Sequence, residues 1–432
     1  MRIERLNETT KKTLLEDLLK RSPNQYGAYE ADVKKILDEV KEKKDEAVFS
    51  YTKQFDKADI DASNIRVTEA EIAEAYELVD AELLRIIRRA LKNIEAYHAK
   101  QMQYSWFDSK PDGTMLGQKV TPLQRVGVYV PGGKAVYPSS VLMNIMPAKV
   151  AGVEEIIMVT PPGRDGKVNP TTLVAAKEAG ADQVYKVGGA QAIAALAYGT
   201  ESIPKADKIV GPGNIYVALA KKAVYGHVSI DSIAGPSEIL VLADEGANPR
   251  YVAADLLSQA EHGPDSQVFL VTCDESLIDR VEEELNKQLN RIPRKAIAEV
   301  ALRNSKYVVL RSRGECVELV NCYAPEHLML CVKDYLDWVP EIRNAGSVFL
   351  GHYSPESAGD YASGTNHTLP TNGYARAYSG VNMDAFMKKI TFQEIMPEGL
   401  AYLGKTIEIM ADNEKLEAHG NAVRVRNVES KI

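Results

Sequence analysis

The chain has 432 residues, 45% of them hydrophobic and 26% charged, a length for about three domains and the balance of a globular protein with a substantial core. Its 52 Lys and Arg against 60 Asp and Glu leave a formal net charge of −8, which argues against nucleic acid or an acidic membrane as the main partner. MRIERLNETTKK at the start lacks the apolar core of a signal peptide, no run approaches the ~18 apolar residues of a membrane helix, and Cys273, Cys316, Cys322 and Cys331 show no C-x-x-C spacing, so the expectation is a cytoplasmic chain whose metal site, if it has one, uses nitrogen and oxygen ligands.

Residues 1 to about 105 read as charged, amphipathic helices, most clearly TEAEIAEAYELVDAELLRIIRRALKNIEAYHAKQM, which has no glycine or proline for several turns. A polar crossing at DSKPDGT follows. Short apolar runs, VGVYV, EEIIMVT, DQVYKVG and DKIVG, then alternate with helical stretches such as SSVLMNIMPAKVAG, TTLVAAKEAGA and QAIAALAYG. That alternation predicts a largely parallel sheet covered by helices on both faces. A second series opens at SEILVLAD and runs through SQVFLVTCD, ESLIDRVEEELNKQLNRI, KYVVLRS and GSVFLG, so two α/β units stand in tandem or one within the other. From about residue 382 the pattern is helical again, in EGLAYLGKTIEIMADNEKLEAHGNAVRVR.

Within the second series, Asn248 can cap a helix, Pro249 suits its first turn and Gly263-Pro264 stops it. At about 100° per residue, Val252, Leu256 and Gln259 share one stripe, with Asp255 and His262 on its flank. A buried amide without partners costs roughly 1–3 kcal/mol, so Gln259 must meet backbone, a side chain, a ligand or a metal. Further on, YAPEHLML sets Glu326 beside His327 at a strand entrance, a carboxylate and an imidazole that could divide acid–base work or form an ordinary surface pair. PESAGDYASGTNHTLPT carries Asp360 and His367 in a turn-rich segment, and Glu414 and His419 lie in the tail, where a histidine before Gly420 also suits a helix C-terminus. Gln259, His262, Asp360 and His419 form a plausible nitrogen and oxygen set for zinc. GVYVPGGKAVYPSS, VGGAQAIAALAYG and IVGPGNIYVALAKK are glycine turns between strand and helix that could receive phosphates, although none carries G-x-G-x-x-G.

The segment IDSIAGPSEILVLADEGANPRYVAADLLSQAEH, residues 230–262, closely resembles the signature segment of histidinol dehydrogenases. RVGVYVPGG, VGGAQAIAALAYGT, VGPGN, NCYAPEHL, SGTNHTLPT and EAHGNAV extend the resemblance in order over nearly the whole chain. It implies an α/β chain of two incomplete Rossmann-like parallel-sheet domains with N-terminal helices and a helical C-terminal tail swapped in a homodimer. The implied division is an arm over 1–25, a first domain over 26–126 and 237–381, an inserted domain over 127–236, and a tail over 382–432. It further implies four-electron oxidation of L-histidinol to L-histidine through the aldehyde, with two NAD reduced and one zinc ion per subunit.

Matched motif by motif, Gln259, His262, Asp360 and His419 take the zinc-ligand positions and, with Ser237, His327, His367 and Glu414, the substrate positions. Glu326 and His327 take the acid–base positions, while Tyr129, Gln191 and Asn214 take those of NAD contact. Glu414 and His419 would reach the site from the other subunit. Cys322, near the Glu-His pair, is the nucleophile of an alternative thiohemiacetal route. Three rivals remain at this point: a zinc hydrolase that uses no nicotinamide, a dehydrogenase of another amino alcohol, and a metal- or nucleotide-binding protein without turnover.

Overall fold

A computed structural model describes residues 1–5, 7–20, 27–132, 136–233 and 235–429. The chain divides into two units, one of Met1–Gln101 with Leu123–Phe386 and one of Met102–Pro122 with Met387–Ile432.

The larger unit starts with strand β1 (Arg2–Arg5) and helices α1 (Glu8–Lys20), α2 (Gly27–Lys43), α3 (Asp45–Phe55), α4 (Glu69–Leu78) and α5 (Ala81–Ala99). The smaller unit contributes a hairpin, β2 (Trp106–Ser109) and β3 (Thr114–Pro122). Back in the larger unit, the chain alternates through β4 (Arg125–Tyr129), α6 (Pro138–Ala151), β5 (Glu155–Thr160), α7 (Pro170–Ala179), β6 (Gln183–Lys186), α8 (Gly189–Tyr198), β7 (Lys208–Val210), α9 (Ile215–Val224) and β8 (Ser229–Ile230). These strands form a wholly parallel sheet of order β6-β5-β4-β7-β8. From β4 the chain steps outward to β5 and β6, then crosses back to β7 on the other side of β4. The topological switch point therefore lies between β4 and β7. Helices α2 and α3 share a core with α8 and α9, through Val33, Val40, Val48, Ile193 and Leu219.

The second series supplies β9 (Glu238–Ala243), α10 (Pro249–Ala260), β10 (Gln267–Thr272), α11 (Glu275–Leu289), α12 (Lys295–Arg303), β11 (Lys306–Val309), α13 (Arg313–Tyr323), β12 (His327–Cys331), β13 (Ser347–Leu350) and α14 (Glu356–Tyr361). Its sheet is also parallel, in the order β1-β11-β10-β9-β12-β13. EILVLA of β9 and QVFLVT of β10 are buried along their whole length, as continuous apolar runs in a covered parallel sheet must be. The smaller unit ends with β14 (Met387–Ile395), α15 (Pro397–Asn413) and α16 (Glu417–Glu429), and β14 pairs antiparallel with β3 in a sheet of order β14-β3-β2.

Two parallel sheets with covering helices agree with the α/β reading. Three local assignments differ. Arg2–Arg5 is an edge strand within the stretch read as helical, and the polar crossing around residue 110 is the turn of the β2–β3 hairpin. The tail opens on a nine-residue strand before it becomes helical. All three lie on exposed or edge strands, where neither face is buried and no period-2 apolar pattern is imposed.

Candidate active site

Helix α10 forms as its sequence predicts. Asn248 Oδ1 accepts from the Arg250 N–H at 3.0 Å, and Val252, Leu256 and Gln259 are all buried. The helix stops at Ala260, so His262 lies one residue past the Glu261 cap in a turn rather than in the helix. Gln259 is 1% exposed, and neither its amide oxygen nor its nitrogen has a partner among the described residues. Backbone does not satisfy this amide among the described residues, so a partner outside the chain would have to meet it.

Glu326 and His327 follow the left-handed Ala324 that ends α13, and His327 opens β12 beside Ile239 of β9 and Ser347 of β13. Both side chains are buried. Glu238, the first residue of β9, fixes them through its backbone: its N–H donates to Glu326 Oε2 at 2.9 Å, and its carbonyl lies 3.1 Å from His327 Nδ1. A carbonyl only accepts, so Nδ1 carries the proton and the lone pair of neutral His327 is on Nε2. That Nε2 has no hydrogen-bond partner among the described residues and lies 3.9 Å from Asp360 Oδ1. Burial lowers the His327 pKa against the opposing pull of Asp360, which keeps the imidazole neutral and basic at its free nitrogen. Burial also raises Glu326 well above the usual carboxylate range, with the charges of Glu238, Glu356 and Asp360 adding to the effect.

Asp360 comes from α14, and burial followed by the charge of Glu356 pushes it up to about 6. Its carbonyl receives His367 Nδ1 at 3.1 Å, leaving His367 Nε2 facing Ser140 Oγ at 3.3 Å. His367 is lowered to about 4 by burial. His262 has an exposed residue surface, yet protein atoms pack around its ring, and that loss of water, then the charges of His327 and Arg294, lowers it to about 4. One donor each from His262, Glu356 and Asp360 lie within 4.8 Å of one another, a separation suited to a shared cation.

Ser237 immediately precedes Glu238 and is partly exposed. Gln259, His262, Glu326, His327, Asp360 and His367 thus gather with it in the larger unit, around the amino ends of β9 and β12. Glu414 and His419 lie in the smaller unit, both exposed. Cys322 lies on α13, its carbonyl accepting from Arg376 and its thiol within electrostatic reach of Lys11 on α1. Sequence reading did not single out Glu356 or Ser258, and it placed Asp255 only on the flank of the Gln259 stripe. Asp255 is buried and raised to about 7, first by burial and then by Glu356.

The residues expected to contact NAD occupy the carboxyl end of the other sheet. Tyr129 ends β4 with its hydroxyl accepting from the Gly189 N–H at 3.2 Å, and Gln191 stands in the first turn of α8. Asn214 caps α9 just beyond β7 through Oδ1 to the Tyr216 and Val217 amides at 3.0 and 3.2 Å. Gln191 is 1% exposed with both amide atoms unpartnered. Tyr129 and Asn214 flank the switch point between β4 and β7, where open parallel sheets bind ligands. Gly211 has φ +115°, and a Cβ there would overlap the Tyr129 carbonyl oxygen, so only glycine lets β7 turn this close to β4. Behind the turn, Lys221 and Asp231 form a buried ion pair; Lys221 Nζ donates to the Gly211 carbonyl at 2.9 Å and Asp231 Oδ2 accepts the Gly211 N–H at 2.8 Å. Of the glycine turn after β4, residues 133–135 lie outside the described residues.

With this geometry in view, comparison with known proteins is decisive. The family model described as histidinol dehydrogenase matches residues 19–427. This chain belongs to the histidinol dehydrogenase family. A histidinol dehydrogenase of Heliobacterium mobile is 53% identical over 395 residues, covering 91% of this chain and 92% of that protein. One of Bacillus subtilis strain 168 is 52% identical over 395 residues, with the same coverage of both. The crystal structure of a histidinol dehydrogenase from Elizabethkingia anophelis superposes with a TM-score of 0.95 at 46% identity, covering 100% of this chain and 99% of that one. No helix among the described residues is long and apolar enough to cross a membrane.

Proposed function

We propose that this chain catalyses the four-electron oxidation of L-histidinol to L-histidine through L-histidinal, reducing two NAD, as the last two steps of histidine biosynthesis in the cytoplasm. The observation that carries the reading is the buried cluster around His327, whose Nε2, with both amide atoms of Gln259, has no partner among the described residues. The orphaned amide oxygen of Gln259, beside the close donors of His262 and Asp360, fits a zinc ion, and the free Nε2 of His327 is left to act on a proton. Gln259, His262 and Asp360, joined by the partner's His419, would hold zinc, which supplies a template for the imidazole and amine of the substrate. Tyr129, Gln191 and Asn214 would hold NAD, which takes up one hydride in each oxidation.

In the first oxidation His327 Nε2 removes the hydroxyl proton as the carbinol C–H bond breaks, giving the aldehyde. Glu326 then takes a proton from water as that water adds to the aldehyde carbon, while protonated His327 returns its proton to the aldehyde oxygen, so that the hydrate forms and Nε2 is free again. From the resulting hydrate His327 removes a second hydroxyl proton as the remaining C–H bond breaks, and the carboxylic acid is formed. Ser237, His367 and the partner's Glu414 orient the substrate. The Glu326–His327 pair suffices for hydration, so Cys322 need not act as nucleophile. C322S is expected to retain most activity.

The homodimer is supported by the smaller unit, whose antiparallel sheet exposes Trp106, Phe107, Leu116, Ile390 and Phe392. The register puts Phe107, Ile390 and Phe392 on one face and Trp106 and Leu116 on the other. Exposed apolar side chains of this kind call for a cover, and a second copy of the chain supplies one.

The decisive test measures NADH formed per L-histidinol consumed with excess NAD, before and after stripping metal with a chelator. Two NADH, lost on stripping and restored by zinc, are expected. One would mean that the aldehyde escapes, and none would turn the reading to a hydrolase or to a different alcohol.

A further inference from the structure

Glu356 takes no part in the mechanism above, yet its placement is unlike that of a surface acid at the start of a short helix. It is 1% exposed, and its two oxygens have separate fates. Oε2 accepts from the hydroxyl of Ser258, which stands next to Gln259 on α10 and is itself anchored at 2.8 Å to the Asp255 carbonyl. Among the described residues Oε1 has no hydrogen-bond partner; it lies 3.8 Å from His327 Nδ1, which is already committed to the Glu238 carbonyl. A carboxylate oxygen that is buried and unpaired carries a large desolvation penalty unless a positive charge faces it. Glu356 is also one of the three residues whose donors converge within 4.8 Å.

We infer that Glu356 belongs to the cation site: Ser258 pins one of its oxygens, and the other adds a negative charge beside His262 and Asp360 that sets how tightly a divalent cation is held. This rests on reading the cluster as a metal centre. Without Glu356, one carboxylate and one imidazole of this chain, with the neutral amide of Gln259, would face the ion. With it, the larger unit alone opposes two carboxylates to the two charges of the ion, enough to retain metal before any residue of another subunit joins. Ser258 is then a positioning residue that acts through Glu356. Charge count is a principal lever on cation affinity, and partners of the ligands typically contribute 10–100-fold.

The test uses the full-length protein stripped of metal and titrated with zinc alone against a chromophoric chelator, with metal content confirmed by elemental analysis and the fold by circular dichroism. E356Q, which keeps the shape and removes the charge, is expected to weaken zinc binding by about 10-fold or more, and E356D to restore most of it. S258A should weaken binding less, and should add nothing when combined with E356Q. Wild-type zinc affinity in E356Q would overturn the inference, and if E356Q does not fold, unchanged affinity in S258A would do so. A wild-type chain that binds no zinc would instead remove the metal-centre reading beneath it.

Discussion

At the scale of single residues, the proton on His327 Nδ1 determines the chemistry. Because the Glu238 carbonyl can only accept, the neutral ring is locked with its basic nitrogen toward the cluster. H327N should therefore lower kcat by about 10²–10⁴-fold, the usual range for a general base, while elemental analysis finds zinc unchanged. Glu326 has a different signature: if hydration of the aldehyde is the step it serves, E326Q should still release about one NADH per histidinol in a single-turnover burst and then stall. A burst of two would remove Glu326 from that step. Much of this cluster was readable in the sequence, since Gln259 sits on an apolar stripe and Glu326–His327 follow a proline into a strand. Glu356 was not, because PESAGDY has the composition of a turn, and only the fold shows that its first acid turns inward to Ser258.

At the scale of elements, the proposed sites use the two sheets at opposite ends: Glu326 and His327 stand at the start of β12, whereas Tyr129 ends β4 and Asn214 follows β7. The turn after β7 tolerates no side chain, so G211A should cost at least about 2 kcal/mol in urea unfolding, combining strain at positive φ with overlap at Tyr129. Helix α5 offers a pH test away from the site. His98 is fully buried, its Nδ1 2.9 Å from Gln101 Oε1, and burial lowers its pKa below 6.5. The unfolded chain then binds the proton more readily, so this contribution to stability is complete above about pH 6.5 and is lost as pH falls from there through the folded-state value. Between pH 7 and 5 wild type should lose more stability than H98Q; equal slopes would exclude His98 from the acid response. Alternation of apolar runs and helices made both parallel sheets legible, because strands buried on two faces must be apolar throughout. β1, the β2–β3 hairpin and β14 escaped because their exposed residues are held by backbone pairing, which leaves no hydrophobic signature.

For the molecule as a whole, shared sites can be tested genetically. H327N and H419N are each expected to be inactive as homodimers, but randomly mixed chains should recover about a quarter of wild-type activity, because half of the dimers are mixed and each mixed dimer has one intact site. No recovery, with exchange confirmed by mass, would place both residues in the same chain's site. The apolar sheet of the smaller unit carries a further consequence. If the homodimer forms through this sheet, a newly made chain presents Phe107, Ile390 and Phe392 on one face and Trp106 on the other to water until it meets another copy. Its maturation is then second order in chain concentration: slow where the chain is scarce, and in competition with off-pathway edge-to-edge association where synthesis outruns correct pairing.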